Sequence, residues 1–261
     1  MRIEGENMSE IISFRNRTAV VTGAAGNIGR AVVRLLAERG VRVAATDFDR
    51  ARTEAALAPV VAAVGSVKCY GADVTDRASV DRLRDDVLAD FGTVDILINN
   101  AGVWENTDVI GMKRFETVPP REWRRILDIN VGGTMNFTQA FLPHFVANRY
   151  GRIVNLGSIA GEVGKSGYAD YSAAKAAVIR LTQVLAMENA KLGITVNSVS
   201  PGMVAAGEIR QTPKTWVGRE GSAEEMARAI VFLAADESGF ITGADLPVDG
   251  GRILGAHGDD M

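Results

Sequence analysis

The sequence predicts an α/β fold: a single domain on a doubly wound, seven-stranded parallel sheet with helices on both faces. Three observations carry that expectation. Short β-rich apolar runs alternate with helical periodicity along nearly all of the 261 residues, the pattern of strand–helix–strand units joined by right-handed crossovers. Several runs, such as Thr18-Ala19-Val20-Val21 and Ile96-Leu97-Ile98, are apolar without alternation, as strands covered on both faces must be. A glycine-rich turn stands between the first strand and the first helix.

Taken in order, the strands fall at 17–22, 41–47, 67–72, 95–99, 151–157, 195–200 and 245–249. The helices fall at 28–39, 50–63, 77–90, 120–147, 172–191 and 223–235. Residues 1–14 read as an arm, 15–251 as the domain and 252–261 as a Gly- and Asp-rich tail. Two segments, 103–119 and 203–221, take no element; each follows a strand and carries Gly, Pro and Trp. Ligands of doubly wound sheets bind beyond the carboxyl ends of the strands, so these segments are candidate pocket walls.

Composition narrows the function. With 29 basic and 32 acidic side chains and a net charge of −3, and no dense Lys/Arg run, the chain is not built as a general nucleic-acid binder. One cysteine, Cys69, cannot form an internal disulfide, and two distant histidines, His144 and His257, make a poor metal set. No apolar run approaches the ~20 residues of a spanning helix. The opening residues are polar, unlike a secretory signal, so a reducing cytoplasmic setting is expected.

The turn reads Thr22-Gly23-Ala24-Ala25-Gly26-Asn27-Ile28-Gly29. Gly23 permits a tight turn, Gly26 lets backbone approach a pyrophosphate, and Gly29 seats the helix against the strand. Unpaired N–H groups at the helix start then face the phosphates. A plain strand-to-helix turn is the competing reading, and the flanking strand and helix favour nucleotide binding. The second strand ends in Asp47, followed by Phe48. A carboxylate there suits adenosine ribose hydroxyls and repels a 2′-phosphate, favouring NAD over NADP. Arg50 and Arg52 soften that repulsion, and an ordinary exposed turn aspartate is the alternative.

Tyr171 and Lys175 share one helix face if the helix begins by Tyr171. A phenol with a pKa of about 10 needs roughly 4 kcal/mol of stabilisation to serve as a base near neutrality. A close ammonium and an oxidised nicotinamide ring would provide much of it. On its own the spacing also fits a core tyrosine with a snorkelling lysine.

Taken together the chain resembles the short-chain dehydrogenase/reductase superfamily over residues 15–251. The matches run in family order: the turn at 22–29, Asp73-Val74, Asn99-Asn100-Ala101-Gly102, Asn130, Ser158, Tyr171 with Lys175, Pro201-Gly202, and Val248-Asp249-Gly250-Gly251. The resemblance implies a Rossmann fold and an NAD(P)-dependent oxidoreductase of the shorter branch. It implies Tyr171 as general acid/base, Ser158 polarising the substrate oxygen, and Lys175 binding nicotinamide ribose and lowering the pKa of Tyr171. Asn130 would hold a relay water. Gly23, Gly26, Asn27, Ile28, Gly29, Asp47 and Phe48 would contact the cofactor, as would Asp73, Val74, Asn99, Ala101, Gly102, Pro201 and Gly202.

Two features depart from the family pattern. Asn27 occupies a position where glycine is usual, a spacing closer to the epimerase-type branch, and asparagine tolerates positive φ well enough to keep the turn. The stretch after Gly202, residues 203–206, lacks the usual threonine, and the lid to Ser222 is short. Pocket-wall candidates are Val103, Trp104, Glu105, Ile159, Gly164, Tyr168, Asp170, Met203, Trp216 and Val217, which suit a cyclic or apolar secondary alcohol. For Trp104 and Trp216, loop anchoring is an equal alternative. A helix apolar on two sides at 172–189, together with the resemblance, implies a homotetramer. Competing functions are a non-catalytic dinucleotide sensor and an epimerase or dehydratase that retains NAD.

Overall fold

Alternate residues of one strand serve opposite cores. In β1 (Thr18–Thr22), Ala19 and Val21 join one buried cluster and Val20 the other. The same division holds in β4 (Ile96–Asn99), with Ile96 and Ile98 against Leu97, and in β5 (Gly151–Leu156), with Val154 against Ile153. Period-two geometry then demands a helical layer on each face. The computed structural model describes residue 14 and residues 16–104 and 114–255. Most of the expected arm, the loop 105–113 with Glu105, and the tail from 256 with His257 lie outside the described residues.

Among the described residues seven strands form one sheet in the order β3 (Val67–Gly71), β2 (Arg42–Asp47), β1, β4, β5, β6 (Ile194–Pro201), β7 (Asp245–Val248). Every neighbouring pair is parallel. The chain therefore runs outward from β1 to β3, returns, and runs outward again from β4 to β7. The crevice between the carboxyl ends of β1 and β4 is the topological switch point, where such sheets bind ligands.

One face carries α1 (Asn27–Glu38), α2 (Arg50–Val64) and α8 (Ala223–Ala234), whose Val32, Leu36, Leu57 and Ile230 share a core. The other carries α3 (Arg77–Phe91), α5 (Gly133–Asn148) and α7 (Ala169–Asn189). Phe137, Phe141 and Phe145 recur every four residues along α5 and are wholly buried there. Local signals set the ends: Asp49 and Asp76 accept backbone N–H groups as N-caps, and Ser222 with Glu225 forms a capping box.

Three differences from the expected elements matter for the site. The single helix expected at 120–147 is interrupted: α4 (Pro120–Leu127) passes into a π turn, Asp128–Gly132, before α5. The Asn130 amide there donates to the carbonyls of Ile126, at 2.9 Å, and Val103, at 2.8 Å. That widened turn lets a side chain bond across to the loop after β4, a use characteristic of π turns. A short helix, α6 (Ile159–Glu162), follows β5, and α7 starts at Ala169, before the tyrosine. Segment 203–221 is a strap closed by bridges between Val204 and Gly221 and between Gln211 and Arg219.

Beneath the carboxyl ends a buried polar chain ties β4 and β5 to α5 and α7 on one face of the sheet. Asn99 donates to Thr138 at 3.0 Å and to Asn155 at 2.8 Å, and Asn155 donates to Thr182 at 2.9 Å. Truncating its middle would strand buried partners, each costing about 1–3 kcal/mol. Asn155→Leu is expected to lower the unfolding free energy by about 2–3 kcal/mol, read as a lower urea midpoint at an unchanged m-value. A midpoint equal to that of the parent would show the chain to be dispensable.

Candidate active site

Two cavities meet at the carboxyl end of β4. The larger, about 1100 Å³, runs from the glycine turn past Asp47, Phe48, Asp73 and Val74 to Asn100, Ala101 and Gly102. The smaller, about 590 Å³, holds Asn130, Ser158, Tyr171, Lys175, Pro201 and Gly202. Ile28, Asn100, Gly102, Val103 and Trp104 line both, so the two spaces are continuous there.

The turn is built by close backbone approach. Gly23 has φ +63°, and a Cβ on it would lie 2.8 Å from Ala101 Cα. A Cβ on Gly29 would lie 2.2 Å from the Gly23 carbonyl oxygen, so glycine is required at both. Asn27 does not have positive φ, contrary to the expectation that its tolerance for it preserves the turn. It is the first residue of α1, and its side chain donates to the Ala205 carbonyl at 2.8 Å. The asparagine thus ties the turn to the stretch after Gly202 that lacks the family threonine.

Asp47 accepts from the backbone N–H of Ala25 at 3.1 Å and of Phe48 at 2.8 Å while facing the larger cavity. Phe48 is 74% exposed, a ring free to cover a flat ligand. Asp73 is braced by Thr75, whose N–H and hydroxyl both donate to it, and Val74 fills the space above Gly133. The expectation for Asn99 is corrected: its side chain is turned into the buried chain below and lines neither cavity. Its neighbour Asn100 takes the lining position, donating to the carbonyls of Thr22 and Gly23 at 2.9 and 3.0 Å. Adjacent asparagines on a strand end point to opposite sides, so the choice between them belongs to register.

Lys175 is almost wholly buried, its Nζ donating to the Leu156 carbonyl at 2.7 Å. Burial draws its pKa down to about 8. The Nζ stands 5.7 Å from the centroid of the Tyr171 ring. Burial also pushes the Tyr171 phenol above its ordinary value, with a hydrogen bond to Ser158 pulling the other way. Within the chain by itself desolvation outweighs the Ser158 bond and keeps Tyr171 protonated at neutral pH, while the Lys175 ammonium is bonded to Leu156. Ser158, extended at φ −169°, caps α6 through the Ala160 N–H at 3.2 Å. Asn130 Oδ1 is buried without a hydrogen-bond partner. A Cβ on Gly102 would sit 2.6 Å from that oxygen and 3.4 Å from Lys175 Nζ.

Of the pocket-wall candidates, Val103, Trp104, Ile159, Gly164, Tyr168 and Met203 line the smaller cavity. Trp216 does not: it lies over Gly251, where a Cβ would meet its ring at 3.1 Å, and it remains 46% exposed, so burial does not anchor the loop through it. Val217 likewise bonds Gly250, and Asp170 accepts the Tyr171 N–H at 2.8 Å. Arg52, weighed above beside Asp47, lines the larger cavity; Arg125 and Asn136 there, and Lys165, Glu220 and Arg252 in the smaller, carried no mark in the sequence. Isolated loop cations carry no periodicity or spacing that would mark them.

This constellation at the switch point of a parallel sheet is that of a dinucleotide-dependent oxidoreductase. The chain belongs to the short-chain dehydrogenase/reductase family, whose members bind a nicotinamide dinucleotide. A family model described as Enoyl-(Acyl carrier protein) reductase matches residues 23–252. The chain is 37% identical over 255 residues to the 3-oxoacyl-[acyl-carrier-protein] reductase FabG of Escherichia coli (strain K12), covering 93% of this chain and 100% of that one. It is 36% identical over 252 residues to the acetoacetyl-CoA reductase of Shinella zoogloeoides, covering 92% and 99%. A solved structure, the crystal structure of gox2181, superposes with a TM-score of 0.87 at 32% identity, covering 95% and 99%. Among the described residues no helix is long and apolar enough to cross a membrane.

A fall in the lysine pKa from 10.5 to about 8 corresponds to roughly 3 kcal/mol of disfavoured charge. The folded chain bears that in full below pH 8, and the penalty fades as the pH rises from about 8 to 10.5. Lys175→Met is therefore expected to melt several degrees higher than the parent at pH 7, with the gap closing by pH 10. Melting curves at the two pH values check it, and a variant that melts lower at pH 7 would refute it.

Proposed function

We propose that the protein interconverts a ketone and a secondary alcohol with NAD(H), Tyr171 exchanging the proton at the substrate oxygen. The observation that carries this reading is the convergence of Asn130, Ser158, Tyr171 and Lys175 on one cavity that opens into a dinucleotide-sized cleft. The cofactor fits these residues. Gly23, Gly26 and Gly29 leave the cradle that a Cβ would fill, the start of α1 faces it with unpaired N–H groups, and Asp47 offers acceptors at the second strand. When bound, the nicotinamide gives or takes the hydride.

The remaining chemistry belongs to the chain. Ser158 holds the substrate oxygen through its hydroxyl and hydrogen-bonds the phenol. Tyr171, kept protonated by burial, donates to a carbonyl oxygen in the reducing direction and must first lose its proton in the oxidising one. Lys175 holds ribose hydroxyls, and Asn130, with its unpartnered buried oxygen, accepts from a relay water beside it. The wall of Trp104, Ile159, Val163 and Met203 takes an apolar body, chain or ring. The relatives named as 3-oxoacyl and acetoacetyl-CoA reductases support the ketone-reducing direction. Asp47 at the cleft supports NAD over NADP by charge repulsion. Self-association falls to α5 and α7, whose Met135, Val184 and Met187 project outward, and a tetramer is the expected mass in solution.

Tyr171→Phe is expected to lose about 10²–10⁴-fold in turnover while dinucleotide binding, followed by fluorescence titration, persists; undiminished turnover would remove the assignment. For the parent, kcat/KM for alcohol oxidation should climb with pH from neutrality upward while that for ketone reduction stays flat until well into the alkaline range, because the phenol's pKa is raised; steady-state rates across pH check both limbs. Asp47→Ser should raise NADPH use relative to NADH by about tenfold or more, a ratio that one carboxylate–phosphate repulsion easily spans; an unmoved ratio would discard the NAD preference.

A further inference from the structure

The smaller cavity has a polarity that hydride transfer does not use. Ser158 and Tyr171 line it, and two cations from separate loops share its wall. Lys165 comes from the loop between α6 and α7, and Arg252 from the turn after β7. The Lys165 Nζ rests 4.0 Å above the Tyr168 ring, which itself stacks on Trp104 with centroids 6.1 Å apart. Arg252 Nη1 is buried and has no hydrogen-bond partner.

Neighbouring carboxylates do not neutralise these cations. Glu220, on the same wall, is committed to Arg210 at 3.0 and 3.2 Å. Asp249 accepts from the backbone N–H groups of Gly251 and Ile253, both at 2.8 Å. Among the described residues neither Lys165 nor Arg252 has an ion-pair partner, whereas Arg210 and Arg219 both do. Burial, then the like charges of Arg252 and Lys214, draw the Lys165 ammonium below its ordinary value. Cations gathered in a cavity without a counter-charge repel one another, and a desolvated guanidinium N–H without an acceptor is unfavourable. Both conditions are relieved by one anion. The cofactor is not its source, since neither cation lines the larger cavity that holds the glycine turn.

We infer that the substrate carries an oxyanion, a carboxylate or a phosphate, which Lys165 and Arg252 hold while its ketone lies against Ser158 and Tyr171. A guanidinium fork and an ammonium are the donors such groups recognise. The inference rests on the ketone–alcohol reading and deepens it: the body between anion and carbonyl is apolar, matched to Trp104, Ile159 and Met203.

The test compares three probes of equal chain length: a keto acid, its methyl ester, and the corresponding keto-alkyl phosphate. Calorimetric titration of the full chain with NAD+ present, which cannot deliver a hydride to a ketone, is expected to show one or both anions binding at least about tenfold tighter than the ester. In Lys165→Gln and in Arg252→Gln the anion-to-ester ratio is expected to fall towards one, with melting curves confirming that both variants fold. The tighter anion identifies the source of the charge. A ratio near one in the parent, or one that survives both substitutions, overturns the inference. Turnover separates it from the reading beneath it. If the ester is reduced as well as the anions, the ketone reductase stands and the anion site falls; if anions bind selectively and no probe is reduced, the anion site stands and the reductase falls.

Discussion

Much of the site follows from one unfavourable burial, the Lys175 ammonium under the carboxyl end of β5. Among the described residues its hydrogen-bond partner is the Leu156 carbonyl, yet it is almost wholly buried. Everything adjacent accommodates that group. Gly102 leaves room where a side chain would collide with Asn130 and crowd the amine, and the π turn swings Asn130 to the same point with one oxygen unspent. A protein optimised for stability alone would fill this place with an apolar side chain. Its retention of a desolvated charge next to a desolvated phenol marks a place where proton affinity is being managed.

The sheet makes such an arrangement possible at small backbone cost. Parallel strands deliver all their carboxyl ends to one edge, so loops from β1, β4, β5 and β6 converge without long excursions. The buried chain from Asn99 through Asn155 to Thr182 fixes the two strands that carry Gly102 and Ser158 relative to the helix that carries Tyr171 and Lys175. Asn27 performs a similar service across the cleft, joining the phosphate turn to the strap after β6. The family pattern has glycine there; in this chain the extra side chain has acquired a local bond.

The lining of the smaller cavity is chemically divided. Ser158 and Tyr171 are set for one oxygen atom and one proton, and Lys165 and Arg252 bring positive charge that has no ion-pair partner among the described residues. Selectivity in such a pocket arises when a substrate engages both groups at once. Reaction type and substrate choice are then written in different residues, which is how a widely shared fold hosts many specificities.

By itself the sequence determined the layers, the parallel seven-stranded sheet, the glycine turn and the Tyr171/Lys175 helix face, because each depends on local periodicity or on spacing within one turn. Register decided what it left open. That Asn100 and not Asn99 faces the cleft, that Trp216 lies over Gly251 outside both cavities, and that 120–147 breaks into a π turn at Asn130 are outcomes of packing between distant segments. The same holds for the protonated phenol, since burial is a property of the assembled cavity and no spacing rule contains it. Lys165 and Arg252, 87 residues apart in the numbering, became neighbours of one cavity only when the loops after α6 and β7 closed over the same strand ends.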